Sequence, residues 1–438
     1  MELIYLYIEN DERNIQECQF NFSPRYDCYY KKDSNELTIN ENNDYVNNFW
    51  NASNISNITA IIGKNGTGKS NLIQFLLEHY EKKNTIYIYK IDKKLKIETN
   101  IPQLKTDKNF NHEFIEESRV ICYPAIYYNP NIYQNISIDF FREKASIDIS
   151  EKRIVIVDSE KFIREDSHYA NNIWHYHKYG NTLRQLDFLS KYSNWEINDL
   201  RLPKKCFIRC EFLPVFNHIP YNSDAKDFYN RLKTECKHAY IKDKDTQDTH
   251  VLNLFPLYAT LIYELYCYCH DMGISFDWND YYFDTIVDAF MKKCDSKIGQ
   301  LLLDIDAIIR QVYFEYDERN HGFYASIDRV KNLFSKYFEL ISVYRNNISK
   351  KVSNKTEAFI PPKSLFYSMI TVEWEHNMSS GEQMYLNLMS SLYYAKEQMD
   401  LQPKISNIFL LLDEPEISFH PEWQRQFKYL NRLYYKCF

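Results

Sequence analysis

Eight consecutive residues constrain this chain more than any other stretch: Gly63-Lys64-Asn65-Gly66-Thr67-Gly68-Lys69-Ser70. They fit the pattern G-x-x-x-x-G-K-[ST] at every fixed position. Ile58-Thr59-Ala60-Ile61-Ile62 before them reads as a short apolar strand, and Asn71 to Leu77 after them as a helix with one apolar face. Glycines let a backbone turn so that successive N–H groups aim at one anion, and a helix N-terminus behind the turn adds partial positive charge. The expected ligand is therefore a nucleotide phosphate held by Gly63, Lys64, Asn65, Gly66, Thr67 and Gly68. Lys69 would lie on the β- and γ-phosphates, and the Ser70 hydroxyl would take a Mg²⁺ position, which makes ATP and Mg²⁺ the expected cofactors. A chance match in a glycine-rich turn is disfavoured because strand, loop and helix signals agree. The chain has only eight glycines in 438 residues, and Gly63, Gly66, Gly68 and Gly381 are four of them.

The bulk numbers leave room for two to three domains and exclude little else. A net charge of −7 gives no global mark of nucleic-acid binding, so any DNA contact needs a local patch. Lys82, Lys83, Lys90, Lys93, Lys94 and Lys96 form the densest basic stretch, but acidic residues alternate with them and a solvated hairpin is the favoured reading. The aromatic content of 16% reads as compositional drift alongside abundant Asn, Lys and Ile. Ten scattered cysteines lack Cys-x-x-Cys spacing, which predicts reduced thiols in a cytoplasm. His175 and His177 read as an ordinary half-buried pair rather than metal ligands. No apolar run approaches a membrane span.

Along the chain, strands are expected at Met1–Ile8, Cys18–Phe22, Glu36–Ile39, Thr85–Tyr89, Leu95–Glu98, Val120–Tyr123 and Ala125–Tyr128. Residues 1–158 thus read as one α/β lobe with an antiparallel layer at its side. Residues 159–361 change character: 252–271, 281–293, 297–314 and 327–348 carry helical apolar spacing and predict a mainly helical insertion. It could be a partner- or DNA-facing arm, or a cap on the sheet. In 362–438, α/β character returns, with strands at 364–374 and 405–412 around a helix at 383–398.

This last part holds two further motifs. Ser379-Ser380-Gly381-Glu382 precedes the helix, and Ile408-Phe409-Leu410-Leu411-Leu412 runs into Asp413-Glu414-Pro415. An apolar run ending in Asp is a buried strand with a carboxylate at its tip. Asp413 can then hold Mg²⁺. Glu414, where the chain leaves the sheet, can face a water and act as general base.

The three motifs in this order resemble the ABC-type ATPase heads of the SMC, RecF and OLD families. The run from Asp413 to Gln424 resembles the version in bacterial ATPases of anti-phage systems, OLD-like and Septu-type among them. The resemblance covers about the first 130 and last 75 residues. It implies an α/β P-loop NTPase fold of ABC-head type that dimerises head to tail. Ser379, Ser380 and Gly381 of one copy would close on the γ-phosphate held by the other. It also implies an ATPase with Glu414, Lys69 and Ser379 in catalysis, and a partner such as a nuclease effector. Arg13 and Asn14 fall where the family often contacts nucleotide, and Gln134 is the nearest candidate for its Mg²⁺-contacting glutamine. Such heads continue past the Asp-Glu strand and a helix, here 421–435, to a further strand and a switch histidine. His420 is not that histidine. The expectation is that the chain is a fragment, a truncated product, or completed by another polypeptide. Three functional readings stay open: an ATPase gating a defence effector, a nucleotide-sensing module with little turnover, and a RecF-like repair ATPase.

Overall fold

The computed structural model describes residues 1–11, 15–46, 57–64, 66–78, 84–92, 94–106, 112–114, 124–130, 146–150, 153–154, 173–192, 196–197, 200–210, 257–258, 261–262, 265–266, 268–269, 272–274, 283–311, 315–317, 322–352, 370–400 and 408–415. In chain order the strands begin with β1 (Glu2–Asp11), β2 (Ile15–Asn21), β3 (Tyr26–Lys31) and β4 (Glu36–Glu41). Helix α1 (Lys69–Glu78) precedes β5 (Thr85–Ile91), β6 (Lys94–Thr99), β7 (Lys105–Thr106), β8 (His112–Phe114), β9 (Ala125–Tyr128) and β10 (Ile147–Asp148). Then come α2 (Ile173–Tyr192), β11 (Glu196–Ile197), β12 (Leu200–Arg201), β13 (Lys205–Cys210), α3 (Phe283–Ala289) and α4 (Ser296–Gln311). The last described elements are β14 (Glu315–Asp317), β15 (Gly322–Ser326), α5 (Ile327–Val352), β16 (Ile370–Trp374), α6 (Ser380–Asp400) and β17 (Phe409–Leu412). The protein is mixed α/β, and it divides into two units, Met1–Ile154 with Leu392–Phe438, and Val155–Ser391.

The first unit is built around a five-stranded sheet in the order β2-β1-β5-β6-β8. Strand β5 alternates between the two faces, whereas β1 shifts register between Leu3 and Tyr5, so that Ile4 and Tyr5 fall in the same cluster. Ile86 and Ile88 join Tyr5, Tyr7, Leu95 and Ile97 on one face, packed on Tyr26, Cys28, Tyr30, Leu37 and Ile39 of the small sheet β3-β4-β7. Tyr87 and Tyr89 lie on the other face with Leu3, Leu6 and Ile8, packed on Leu72, Phe75 and Leu76 of α1. The tyrosines here are core residues: Tyr5 and Tyr89 have no exposed surface, and the Tyr87 and Tyr89 rings stack at 6.0 Å. Each such ring contributes about 1.5–3 kcal/mol by burial, so aromatic abundance is structural here as well as compositional.

A second sheet in this unit is parallel, in the order β10-β9-β17. Its register pairs Phe409 with Ala125 and Leu412 with Tyr128. Phe409 and Leu411 point from it into the same cluster as α1, so α1 is covered by the antiparallel layer and by β17 together. Parallel strands need crossovers, and β9 and β17 come from opposite ends of the sequence.

Among its described residues the second unit combines helices with strands. Helices α2, α4 and α5 are present, but so is a four-stranded antiparallel sheet in the order β14-β15-β13-β16. Cys206 and Ile208 are buried on its central strand β13. Strand β16, which the sequence assigns to the C-terminal ATPase lobe, pairs with β13 from Cys206–Trp374 to Cys210–Ile370. The ladder joins β16 to β13 within the second unit, and the division between units lies at Ser391 and Leu392, within α6.

Candidate functional site

The phosphate-loop sequence forms a loop of the kind its glycines imply. Gly66 has φ 82° and Gly68 has φ 89°, values that L side chains rarely adopt. The Thr67 N–H and hydroxyl both donate to the Lys64 carbonyl, at 3.3 and 2.8 Å. The Lys69 ammonium folds back over the loop and donates to the carbonyls of Gly63 at 2.9 Å and Lys64 at 3.2 Å. Helix α1 starts here, its first bond running from the Leu72 N–H to the Gly68 carbonyl at 3.0 Å. Ser70 sits in the first turn, and the loop itself is exposed. Asn65 lies outside the described residues, as do Arg13, Asn14, Gln134 and His420.

The strand expected before the loop is absent. Residues 57–64 carry no ladder, and Ile62 is 92% exposed. The segment is tethered by side chains: Asn57 Nδ2 and Thr59 Oγ1 donate to the Phe22 carbonyl, at 2.6 and 2.7 Å. Only Ile61 joins the core beside α1. An apolar run becomes a strand only where a neighbouring strand accepts its backbone, and no described strand does so here.

Strand β17, expected to be buried, is half-buried and stands last in its described sheet, with Asp413 following at its tip. The Asp413 N–H still follows the ladder, donating to the Tyr128 carbonyl at 2.9 Å, and its side chain is 3% exposed. Glu414 then takes φ 49°, a left-handed conformation uncommon for a non-glycine residue, and its side chain is exposed. One carboxylate thus turns inward and its neighbour outward. The register places Asp413 beside Asn129, the residue that follows β9. Asn129 Nδ2 donates to Asp413 Oδ2 at 2.9 Å, and the Tyr127 hydroxyl lies 3.4 Å from the same oxygen. Burial, then the Asp413 charge, pushes the Tyr127 phenol well above its ordinary range, so its hydroxyl stays a donor. Burial also raises the Asp148 carboxyl at the tip of β10.

Asp413 shares a sheet face with Phe409 and Leu411, the face that packs towards α1. Strand β17, which ends in Asp413, thus packs through Phe409 and Leu411 on the same cluster as α1, the helix that follows the phosphate-loop sequence. Among the described residues no three His, Cys, Asp or Glu side chains group as a metal site. Mg²⁺ bound mainly through phosphates and water asks for only one or two protein oxygens, so Ser70 and Asp413 are the residues that would hold it.

Ser379, Ser380 and Gly381 belong to the second unit, at the start of α6. Ser379 and Glu382 form a reciprocal capping box. The Ser379 N–H donates to Glu382 Oε2 at 2.7 Å, and the Glu382 N–H donates to Ser379 Oγ at 3.3 Å. Ser379 and Ser380 are exposed, and Gly381 is buried. Further along α6, Asn387 Oδ1 accepts from Asn181 Nδ2 of α2 at 2.9 Å, from Gln383 Nε2 at 3.3 Å and from Gln185 Nε2 of α2. This fixes the Ser-Ser-Gly helix to α2.

Asn129 and Tyr127 are the site residues that sequence reasoning missed. The signal was a polar residue directly after the apolar strand 125–128, matching the position of Asp413 after 409–412. No family model, curated protein or solved structure matches this chain. Among the described residues no helix is long and apolar enough to cross a membrane.

Proposed function

We propose that this chain is an ATPase of the ABC-head kind. The formed loop carries the reading: two glycines at positive φ and Lys69 over the loop carbonyls, at the start of a helix whose core also holds the Asp413 strand. Lys69 would exchange its carbonyl partners for the β- and γ-phosphate oxygens, which are charged and bind it more strongly. Ser70 and Asp413 would hold Mg²⁺, which lowers the cost of charge developing on the phosphates. Glu414, exposed beside Asp413, would take a proton from the attacking water. The exposed pair Ser379 and Ser380, with Gly381, would meet the nucleotide of a second copy in a head-to-tail dimer. ATP-driven dimerisation would then gate a nucleic-acid-directed effector, such as a nuclease in anti-phage defence.

The test is nucleotide binding and turnover by the full chain, with Lys69→Ala as the probe. Lys69→Ala should bind ATP at least tenfold more weakly, since one charge-assisted contact is lost. Affinity equal to that of the parent would remove the assignment. Binding without turnover would favour a nucleotide-sensing module instead.

A further inference from the structure

We infer that Asn129 is the positioning residue for Asp413, holding its carboxylate, with help from Tyr127, in the orientation that receives the divalent cation accompanying the nucleotide. This rests on the ATP-binding reading above. The register requires the pairing: Leu412 lies opposite Tyr128, so the next residues, Asp413 and Asn129, meet at the carboxyl ends of adjacent parallel strands. Side chains two apart share a face, which adds Tyr127 to the same group.

The donor inventory fixes the direction of every bond. A carboxylate only accepts, so the amide of Asn129 must present its NH₂ end to Asp413. One of its protons goes to Asp413 Oδ2 at 2.9 Å, and the second points to the Tyr127 hydroxyl oxygen at 3.3 Å. That hydroxyl in turn directs its proton at Asp413 Oδ2, 3.4 Å away. Both donors fall on the same carboxylate oxygen. All three residues are at most 3% exposed, so no bulk water competes for these bonds. Partners that orient a metal ligand in this way typically contribute 10–100-fold in metal affinity.

The experiment uses the 438-residue chain, a non-hydrolysable ATP analogue, and Mn²⁺ titrated by electron paramagnetic resonance. Asn129→Leu and Asn129→Ser should each weaken Mn²⁺ binding by about 10–100-fold. Their affinity for the analogue in EDTA should match that of the parent, which a general loss of structure would not allow. Tyr127→Phe keeps the ring buried and removes only the longer bond, so it tests the same network if the Asn129 variants do not fold. A smaller weakening, about 2–5-fold, is expected there. Parent-like Mn²⁺ affinity in folded Asn129 variants, or in Tyr127→Phe where those do not fold, overturns the inference while the ATP reading stands. A parent chain that binds no nucleotide overturns both.

Discussion

Substituting Gly68 by Ala tests whether the loop conformation itself binds phosphate. Gly68 has φ 89°, and a Cβ built there meets nothing closer than Asn71 Nδ2 at 3.9 Å. Space is therefore no obstacle, and the penalty is purely one of backbone angle. A Cβ at left-handed φ costs roughly 1–2 kcal/mol, which the loop must absorb each time it adopts the binding conformation. ATP affinity should fall by about 5–30-fold, with a loss of global stability no greater than the same 1–2 kcal/mol. Gly66, at φ 82° with nothing within 4 Å, should behave alike. Gly63 supplies the contrast. A Cβ there would stand 2.6 Å from Thr67 Oγ1, which is held by its bond to the Lys64 carbonyl. The fault in Gly63→Ala is a collision, so Thr67→Ala in the same chain should relieve it, while it should do nothing for Gly68→Ala. The assay is titration with a fluorescent ATP analogue, alongside urea unfolding. If Gly68→Ala binds as tightly as the parent while Lys69→Ala does not, the positive-φ loop is not the conformation that holds phosphate.

Glu414→Gln should retain ATP and accumulate a closed dimer with turnover reduced at least 100-fold, since the amide cannot accept a proton; steady-state hydrolysis at the parent rate would assign the base elsewhere. Ser379→Arg should leave ATP binding by the isolated chain intact and abolish ATP-dependent dimerisation in sedimentation, while losing about 1 kcal/mol of stability with the capping box. Loss of ATP binding in that variant would refute action in trans. Burial pushes the thiols of Cys28 and Cys206 up to about 12 from 9.0. A raised folded value favours the protonated native state, so this stability is complete below pH 9 and falls as pH rises towards 12, by up to about 1.4 kcal/mol per pH unit for each thiol. Cys28→Ala should flatten that fall in urea unfolding, and an unchanged slope would mean that Cys28 has no part in it.

What the sequence conveyed followed from how local each signal is. The loop, α1 and the Asp-Glu tip were legible because glycine φ, helix start and strand tip are each set within a few residues. The strand at 58–62 was not, since an apolar run says nothing of whether a neighbour will accept its hydrogen bonds, and here Asn57 and Thr59 tether the chain instead. The four-stranded sheet of the second unit was missed for a related reason. Lys205–Cys210 finds its partners more than 100 residues away, at Gly322–Ser326 and Ile370–Trp374, and short strands separated by helical periodicity give no local sign of pairing. Asn129 was overlooked because a glutamine was sought at that point, although the tip of a buried parallel strand is itself a position where ligands are met.

The two adjacent carboxylates gain distinct environments from one backbone turn. A strand delivers alternate side chains to opposite faces, so Asp413 and Glu414 could not both enter the face that packs towards α1. Asp413 keeps the ladder bond to Tyr128 and is drawn into the donors of Asn129 and Tyr127. Glu414 leaves the ladder through its left-handed φ and stays exposed. Strain of this kind costs about 1–3 kcal/mol and persists where the surrounding structure enforces it. Here the enforcement comes from both sides, with Asp413 fixed by its bonds and Pro415 buried immediately after the turn. In the proposed ATPase the inner carboxylate would be held for a cation, and the outer one would keep the water access that a general base requires.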